Sequence, residues 1–251
     1  MNESTHLHID ILTVVPEQIL SGLHHSIVGR AIASGIVTVS VINIRDFTED
    51  RHKTTDDTPY GGGGGMVMKV EPIEKALTSL QLNDTTRIAL TDPRGKLFTQ
   101  ETARAWAAED RIVLICGHYE GVDDRVRQHL VTDEVSIGDF ILTGGELPAL
   151  VIVDALTRLQ SGALGDEDAT NKDSFSRPLL EYPHYTRPRE FNGWEVPEIL
   201  LCGHHAQIER WRLWHQLQDT RMRRPDIFAK LELTKAEIKL LTLDEPQTPI
   251  S

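Results

Sequence analysis

Hydrophobic positions in the N-terminal part of the chain change from a strand period to a helix period and back. Residues 8–15 alternate loosely between apolar and polar side chains, and residues 37–42 alternate more regularly. Between them, residues 17–34 carry an apolar stripe at helical spacing, and Gly35 follows its end. A strand, a helix and a second strand in this order predict a βαβ unit, and therefore an α/β fold.

The same reasoning predicts further elements along the chain. Strands are expected at residues 86–91 and 111–116, with helices at residues 71–82, 99–108 and 123–129 and from Pro148 to near Gly162. A short buried strand is expected at residues 140–142, where Gly138 precedes an apolar run and Gly144 and Gly145 follow it. Residues 92–96 have turn composition.

Two segments lack any hydrophobic period. Residues 43–66 are dense in charge and glycine, which is typical of a functional or disordered loop. Residues 161–172 are polar and have nothing to bury, which favours a linker or mobile lid. Beyond them the composition becomes aromatic and basic, with helices expected at 204–217 and 234–243. We predict an α/β domain at residues 1–161, a mobile linker or lid at 162–175 and a small all-helical domain at 176–251.

Composition and charge narrow the functional classes. The chain has 251 residues, 39% of them hydrophobic, and no apolar run approaches the length of a membrane span. The N-terminus lacks the basic and apolar regions of a signal peptide, and two cysteines cannot build a disulfide framework. Both observations favour the cytoplasm. The net charge of −12 argues against nucleic acid on average, but residues 204–230 hold six Lys or Arg against three acids, so an RNA partner stays open.

Several common sites are disfavoured. The glycine run at 61–65 is not followed by Gly-Lys-Ser/Thr, and no Gly-x-Gly-x-x-Gly follows the first strand, so neither a P-loop nor a dinucleotide site is expected. Two Cys-Gly-His tripeptides, at 116–118 and 202–204, invite a zinc interpretation, but no Cys-x-x-Cys accompanies them. Buried free cysteines are the better interpretation.

Several motifs, taken in order and with their spacing, identify a family. They are Arg45-Asp46-Phe47-Thr48 with Asp50-Arg51-His52, Asp56-Asp57, Pro59-Tyr60-Gly61-Gly62-Gly63, Tyr119-Glu120-Gly121, Ser136-Ile137-Gly138-Asp139, Gly144-Gly145-Glu146-Leu147-Pro148, Asp173-Ser174-Phe175 and Pro183-His184-Tyr185-Thr186-Arg187-Pro188. From about residue 8 to about residue 240, the chain resembles the bacterial tRNA (guanine-N1)-methyltransferase family of the SPOUT superfamily.

The resemblance implies that S-adenosyl-methionine binds in a deep trefoil knot, formed by segments around residues 91–95, 117–121 and 137–145. At residues 92–95 the family's usual sequence is closer to Ser-Pro-Gln-Gly, so only Pro93 and Gly95 match it and keep the implied role. The implied cofactor residues are Pro93, Gly95, Gly117, Tyr119, Glu120, Gly121, Ser136, Ile137, Gly138, Asp139, Phe140, Ile141, Leu142, Gly144, Gly145 and Pro148.

The chemistry of the implied reaction assigns two catalytic roles. Guanine N1 carries a proton at neutral pH, so a base must remove it, and a cation should stabilise the charge that develops on O6. Asp173 matches the family's base, and Arg158 its charge stabiliser. From the residues alone, Asp173 could instead cap a helix and Arg158 could pair with Asp154. Candidate tRNA-binding residues are Asp154, Ser174, Arg187, Arg212, Arg221, Arg223 and Arg224.

The resemblance also implies a homodimer whose active site is shared between subunits, and we expect the 162–175 lid to become ordered only with both ligands bound. The sequence leaves open whether magnesium assists the reaction or only the tRNA, and which tRNAs are accepted. Two alternatives remain: a non-catalytic RNA-binding SPOUT protein, and a SPOUT methyltransferase that acts on another RNA position.

Overall fold

A computed structural model describes residues 6–165, 170 and 173–246 of the chain. The chain divides into two compact units, residues 1–167 and 168–251, and each is described by itself. The functional division into segments 1–161, 162–175 and 176–251 stays a prediction. Residues 1–5, 166–169, 171–172 and 247–251 lie outside the described part, and so does much of the expected lid.

The first unit alternates strands and helices. Its elements are β1 (Leu7–Thr13), α1 (Pro16–Leu23), α2 (Ser26–Ala33), β2 (Val37–Asn43), a 3₁₀ helix (Ile44–Phe47), β3 (Asp56–Asp57), β4 (Val67–Met68), α3 (Val70–Ser79), β5 (Arg87–Leu97), α4 (Gln100–Trp106), β6 (Arg111–Cys116), α5 (Asp124–His129), β7 (Asp133–Ser136) and α6 (Glu146–Thr157).

A five-stranded sheet in the order β2-β1-β6-β5-β7 forms the centre of this unit, and all its strand pairs are parallel. Side chains of β6 alternate between the two faces, because Ile112 and Leu114 join one core cluster while Val113 and Ile115 join the other. Helices α1, α2, α4 and α6 pack in the first cluster, and α3 and α5 in the second. The predicted α/β class is confirmed.

The single helix predicted over residues 17–34 is wrong, because the chain breaks at His24 and His25 into α1 and α2. Ser26, with φ of 57°, starts the second helix in a left-handed conformation. The backbone of His24 lies so close to Gly29 that an added Cβ there would be 2.6 Å from the His24 carbonyl carbon. This tight turn depends on local backbone geometry, which an apolar stripe does not reveal.

The buried strand predicted at residues 140–142 is also wrong. Phe140 and Ile141 are 54% and 80% exposed and lie in a loop, and the fifth strand is β7, which ends at Ser136 before this run. Residues 92–96 do not form a separate turn but an irregularity within β5, where the pairing with β7 shifts between Thr91 and Lys96. Gly95 permits this shift, since a Cβ there would lie 2.3 Å from the Val135 nitrogen.

The second unit is largely helical, with α7 (His205–Arg223), α8 (Pro225–Phe228), α9 (Lys235–Leu241) and a 3₁₀ helix (Glu198–Leu200). A short hairpin of β8 (Glu190–Phe191) and β9 (Trp194–Glu195) was not expected, so the unit is not entirely helical. Its small core contains Leu179, Leu217 and Leu240. Among the described residues, no helix is both long and apolar enough to span a membrane.

Candidate functional site

The carboxyl ends of β6 and β7 lie beside residues 91–93 of β5, and the loops that follow β6 and β7 form a cavity of about 300 Å³ with these residues. Ligands of open parallel sheets bind at this position, outside the carboxyl ends of the strands. The lining residues are Thr91, Asp92, Pro93, Gly117, His118, Tyr119, Glu120, Gly121, Val135, Ser136, Ile137, Gly138, Phe140, Ile141, Leu142, Thr143, Gly144, Gly145 and Pro148.

Two glycine loops hold the cavity together by direct backbone contact. The Gly145 N–H donates to the Gly117 carbonyl at 2.7 Å, and His118 and Gly144 form an antiparallel bridge beside this bond. A Cβ on Gly145 would lie 2.0 Å from Thr91 Oγ1 and 2.8 Å from Cys116 Cα. Only glycine therefore allows the loop before α6 to approach the end of β6 this closely.

The loop at residues 117–121 is fixed by its neighbours as well. Tyr119 and Gly121 have φ of 59° and 114°, which reverses the chain direction over a few residues. The Glu120 N–H donates to the Met66 carbonyl at 3.0 Å, so the long 43–66 segment ends against this loop. Arg45 Nη2 donates to the Tyr119 hydroxyl at 3.3 Å. The aperiodic segment thus contacts the cavity wall at both of its ends.

A buried carboxylate lies behind the cavity. Glu146, at the start of α6, is 1% exposed and accepts a hydrogen bond from Thr13 Oγ1 at 2.7 Å. Its other oxygen lies 3.5 Å from Nδ1 of His118, without hydrogen-bond alignment; this nitrogen is buried and has no hydrogen-bond partner in the described part of the chain. Burial, and then the Glu146 carboxylate, raise the pKa of the Cys116 thiol well above its usual value.

The cavity wall carries a second, more exposed carboxylate. Asp92 lines the cavity and accepts bonds from the Arg94 side chain, with its Oδ1 at 2.9 Å from Arg94 Nε. This bond, outweighing the effect of burial, lowers the pKa of Asp92 below its usual value, so the group is ionised at neutral pH. Because Asp92 and Arg94 pair, their charges largely cancel at the position where this sequence differs from the family's usual Ser-Pro-Gln-Gly.

All the cofactor residues predicted from the sequence line the cavity except Gly95 and Asp139. Gly95 is instead needed for the close contact of β5 with β7. Sequence reasoning missed Thr91, Asp92, His118, Val135 and Thr143, all of which are neighbours of predicted residues. A cofactor-binding role for the whole set stays a prediction.

The two predicted catalytic residues lie in different units. Arg158 follows the last turn of α6, and its N–H donates to the Asp154 carbonyl at 3.1 Å. Asp173 begins a turn in the second unit, in which the Ser176 N–H donates to its carbonyl at 3.1 Å. Ser174 Oγ accepts from the Glu181 N–H at 2.9 Å. The helix-cap interpretation of Asp173 is wrong, because this turn does not continue into a helix among residues 174–180.

Most candidate tRNA-binding arginines are exposed and held by neighbours on their own helix or turn. Arg224 pairs with both oxygens of Asp226, Arg223 lies 3.5 Å from Asp219, and Arg221 donates to Gln218. Arg187 is exposed, and Arg212 is only half exposed. Such short-range pairs are weak and leave the guanidinium groups available to phosphate.

The cysteine prediction is only half right. Cys116 is buried, but Cys202 is exposed, with its Sγ 3.0 Å from the Ile199 carbonyl. Among the described residues, no group of three or more His, Cys, Asp or Glu side chains is placed to hold a metal ion.

Comparison with known proteins shows a family that the chain matches and several proteins of similar sequence. Residues 7–230 match the family described as "tRNA (Guanine-1)-methyltransferase TrmD". The chain is 54% identical over 235 residues to a tRNA (guanine-N(1)-)-methyltransferase of Brevibacillus brevis, covering 94% of this chain and 97% of that protein. Proteins of the same name from Dehalococcoides mccartyi and Staphylococcus carnosus are each 50% identical, over 94% of this chain and 96% of theirs.

Proposed function

The chain belongs to the tRNA (guanine-1)-methyltransferase family, and we propose that it transfers a methyl group from S-adenosyl-methionine to N1 of guanosine 37, the nucleotide 3′ of the anticodon in tRNA. The observation that carries this proposal is the glycine-walled cavity between residues 91–93 of β5 and the carboxyl ends of β6 and β7. It combines exposed backbone polar groups with an apolar wall, which is what an adenosine-containing cofactor requires.

The residues of the cavity fit S-adenosyl-methionine in size and chemistry. The cavity volume of about 300 Å³ lies at the lower end of the range found for small-molecule sites. Ile137, Leu142 and Pro148 offer apolar surface for the adenine ring, and Glu120 offers acceptors for the ribose hydroxyls. The glycines at 117, 121, 138 and 144 leave backbone N–H and C=O groups accessible to the polar edges of the ligand.

The bound cofactor supplies an electrophilic methyl group on a sulfonium, and the electrons of the broken S–C bond stay with sulfur. The protein must make guanine N1 nucleophilic. Asp173 accepts the N1 proton, the electron pair of the broken N1–H bond becomes available to bond to the methyl carbon, and Arg158 stabilises the negative charge on O6. A positioned base typically contributes about 10²–10⁴-fold in rate.

A homodimer with an active site shared between subunits completes the proposal. It is supported by an apolar depression of about 580 Å³ on the first unit, lined by Leu142, Leu147, Leu150 and Val151 together with Asp154. Leu147 and Val151 are 47% and 48% exposed on α6, and an exposed apolar patch of this kind marks an interaction surface. We further propose that the bonded loops at 117–121 and 137–145 belong to a trefoil knot, and that the enzyme works in the cytoplasm.

Methyl transfer is tested with labelled S-adenosyl-methionine and two tRNA transcripts, one with guanosine at position 37 and the other with adenosine. Label should enter only the guanosine transcript. Label in neither transcript would favour a non-catalytic RNA-binding protein, and label in both would favour another RNA position.

The dimer is tested by light scattering on Val151→Glu, which places a charge in the apolar depression. We expect this variant to be monomeric and inactive. It should still bind S-adenosyl-methionine, with an affinity no higher than that of the wild-type protein. Gln18→Glu, which adds the same charge at an exposed position of α1, should remain dimeric. A Val151→Glu variant that stays dimeric would contradict this interface.

A further inference from the structure

The second unit contains a cavity of its own, of about 410 Å³, between the turn at Asp173 and one face of α7. Leu179 and Leu213 give it an apolar side, and Asp173, Tyr182, Glu209 and Arg212 give it a polar side. This volume lies within the range of about 300–1,000 Å³ found for small-molecule sites. The combination of apolar, aromatic and charged walls suits a planar ligand with hydrogen-bonding edges.

The Arg212 guanidinium lines this cavity and is oriented by its neighbours so that it can donate a hydrogen bond to a ligand. Its guanidinium carbon lies 4.7 Å from the centroid of the Tyr182 ring, and Nη1 donates to Glu209 Oε1 at 2.6 Å. The Nε–H is buried and has no hydrogen-bond partner among the described residues. Buried donors are normally satisfied, so an unpaired one beside a cavity indicates a missing acceptor. Tyr182 and Glu209 fix the plane of the guanidinium from two sides.

The chemistry of these groups matches one nucleobase better than the others. Aromatic rings and Arg guanidinium planes stack with RNA bases that are turned out of their helix. Guanine presents acceptors at O6 and N7, which suit an Arg donor, and N–H donors at N1 and N2, which suit carboxylates. Adenine presents an amino donor in place of O6 and would face Arg212 with a second donor. The cavity therefore favours guanine.

We propose that this cavity binds the target guanine base in its turned-out position, with Arg212 as the residue that recognises its acceptor edge and Tyr182 as the ring that holds the Arg212 guanidinium in place. This inference rests on the proposed function. It changes the role of Arg212 from one of several phosphate contacts to a determinant of base specificity, adjacent in the cavity wall to the proposed base Asp173.

The two roles of Arg212 are separable by binding measurements. The affinities of guanosine-37 and adenosine-37 transcripts are measured as competitive inhibition constants against a wild-type substrate tRNA. We expect the wild-type protein to prefer guanosine, and Arg212→Met to weaken guanosine binding on the order of 10- to 100-fold while leaving adenosine binding nearly unchanged. Arg210→Met, which removes an exposed charge from the same helix, should weaken both transcripts equally.

A phosphate contact gives a different signature, because losing one would weaken both transcripts and lower the slope of log affinity against log salt concentration by about 0.7. That result for Arg212→Met, or an unchanged preference for guanosine, would overturn the proposal. Tyr182→Phe, which keeps the ring under the Arg212 guanidinium, should bind like wild type, and Tyr182→Leu, which removes it, should lose about 10-fold. Equal losses in the two Tyr182 variants would also contradict it.

Stability and cofactor controls keep the outcomes distinct. All variants should keep the wild-type midpoint of urea unfolding and the wild-type affinity for S-adenosyl-methionine; if Arg212→Met does not fold, Arg212→Lys and the Tyr182 pair decide the question. Failure of the wild-type protein to methylate the guanosine transcript would refute the proposed function. Methylation by wild type with unchanged base preference in Arg212→Met would refute only the guanine cavity.

Discussion

Gly145 is the residue whose replacement tests the architecture of the cofactor cavity most sharply. In Gly145→Ala the new methyl group would lie 2.0 Å from Thr91 Oγ1, 2.8 Å from Cys116 Cα and 2.9 Å from the Gly117 nitrogen. The last two atoms are backbone at the end of β6, a central strand of the sheet, so they cannot move away without disturbing the core. The Thr91 hydroxyl can turn away, but it then loses its bond to the Ile115 carbonyl at 3.1 Å.

The expected effect follows from these contacts. Overpacking a rigid site destabilises by about 1–3 kcal/mol, and a lost hydrogen bond adds about 1 kcal/mol. We therefore expect Gly145→Ala to lower the free energy of unfolding by about 2–4 kcal/mol and to weaken binding of S-adenosyl-methionine, because the Gly145–Gly117 backbone bond must lengthen.

Urea unfolding gives the free energy of unfolding, and titration calorimetry gives the cofactor affinity. Gly64→Ala is the matched control, since no atom lies within 4 Å of a Cβ at that position and its φ is not positive. A change within about 0.5 kcal/mol in Gly145→Ala, equal to that of the control, would refute the claim that glycine is required for this backbone contact.

Three further predictions concern stability and reactivity. Glu146→Ala should lower the free energy of unfolding by about 1–3 kcal/mol, because Thr13 Oγ1 loses its buried acceptor. Glu146→Gln keeps an acceptor and should lower it less, as measured by urea unfolding. Equal effects of the two variants would contradict this role of the bond. Burial raises the pKa of Glu237, but hydrogen bonds from Arg177 and Thr234 outweigh burial and hold this pKa below its usual value of 4.5. The ionised Glu237 side chain therefore stabilises the folded state above pH 4.5, and this contribution is lost as the pH falls through the pKa of the folded state. Stability should therefore fall more steeply in wild type than in Glu237→Gln between neutral pH and pH values below 4.5, and parallel curves would exclude this contribution. Because burial and Glu146 raise the pKa of Cys116, a thiol reagent should modify exposed Cys202 and not Cys116 in the native protein, and rapid modification of both would contradict the buried position of Cys116.

The sequence predicts the α/β class and most of the cavity because both depend on local patterns. The sequence of β1 alternates loosely, β6 is a short continuous apolar run, and glycines at 117, 144 and 145 mark the close backbone approach. The error at residues 140–142 has a physical cause. Apolar side chains that line a cavity or an interaction surface look the same in a sequence as those that fill a core.

Contacts between distant residues could not be predicted in this way. Glu146 stands at the start of a helix, where an acidic residue is expected to be exposed, yet it is buried and accepts a hydrogen bond from Thr13, 133 positions earlier. His118 and Arg212 likewise gain their importance from buried nitrogen atoms whose surroundings come from other segments of the fold. The break between α1 and α2 depends on the conformation of Ser26, a residue with no preference for a left-handed backbone.

The central claim is that Asp173 removes the N1 proton of guanosine 37 so that this nitrogen accepts the methyl group. The most direct test digests the reacted tRNA to nucleosides and identifies the product by mass spectrometry, for wild type, Asp173→Asn and Asp244→Asn, the last an exposed carboxylate in the same unit. We predict 1-methylguanosine from wild type and Asp244→Asn, formed on the order of 10²–10⁴ times more slowly by Asp173→Asn. Methylation at another atom, or an undiminished rate in Asp173→Asn, would contradict the account.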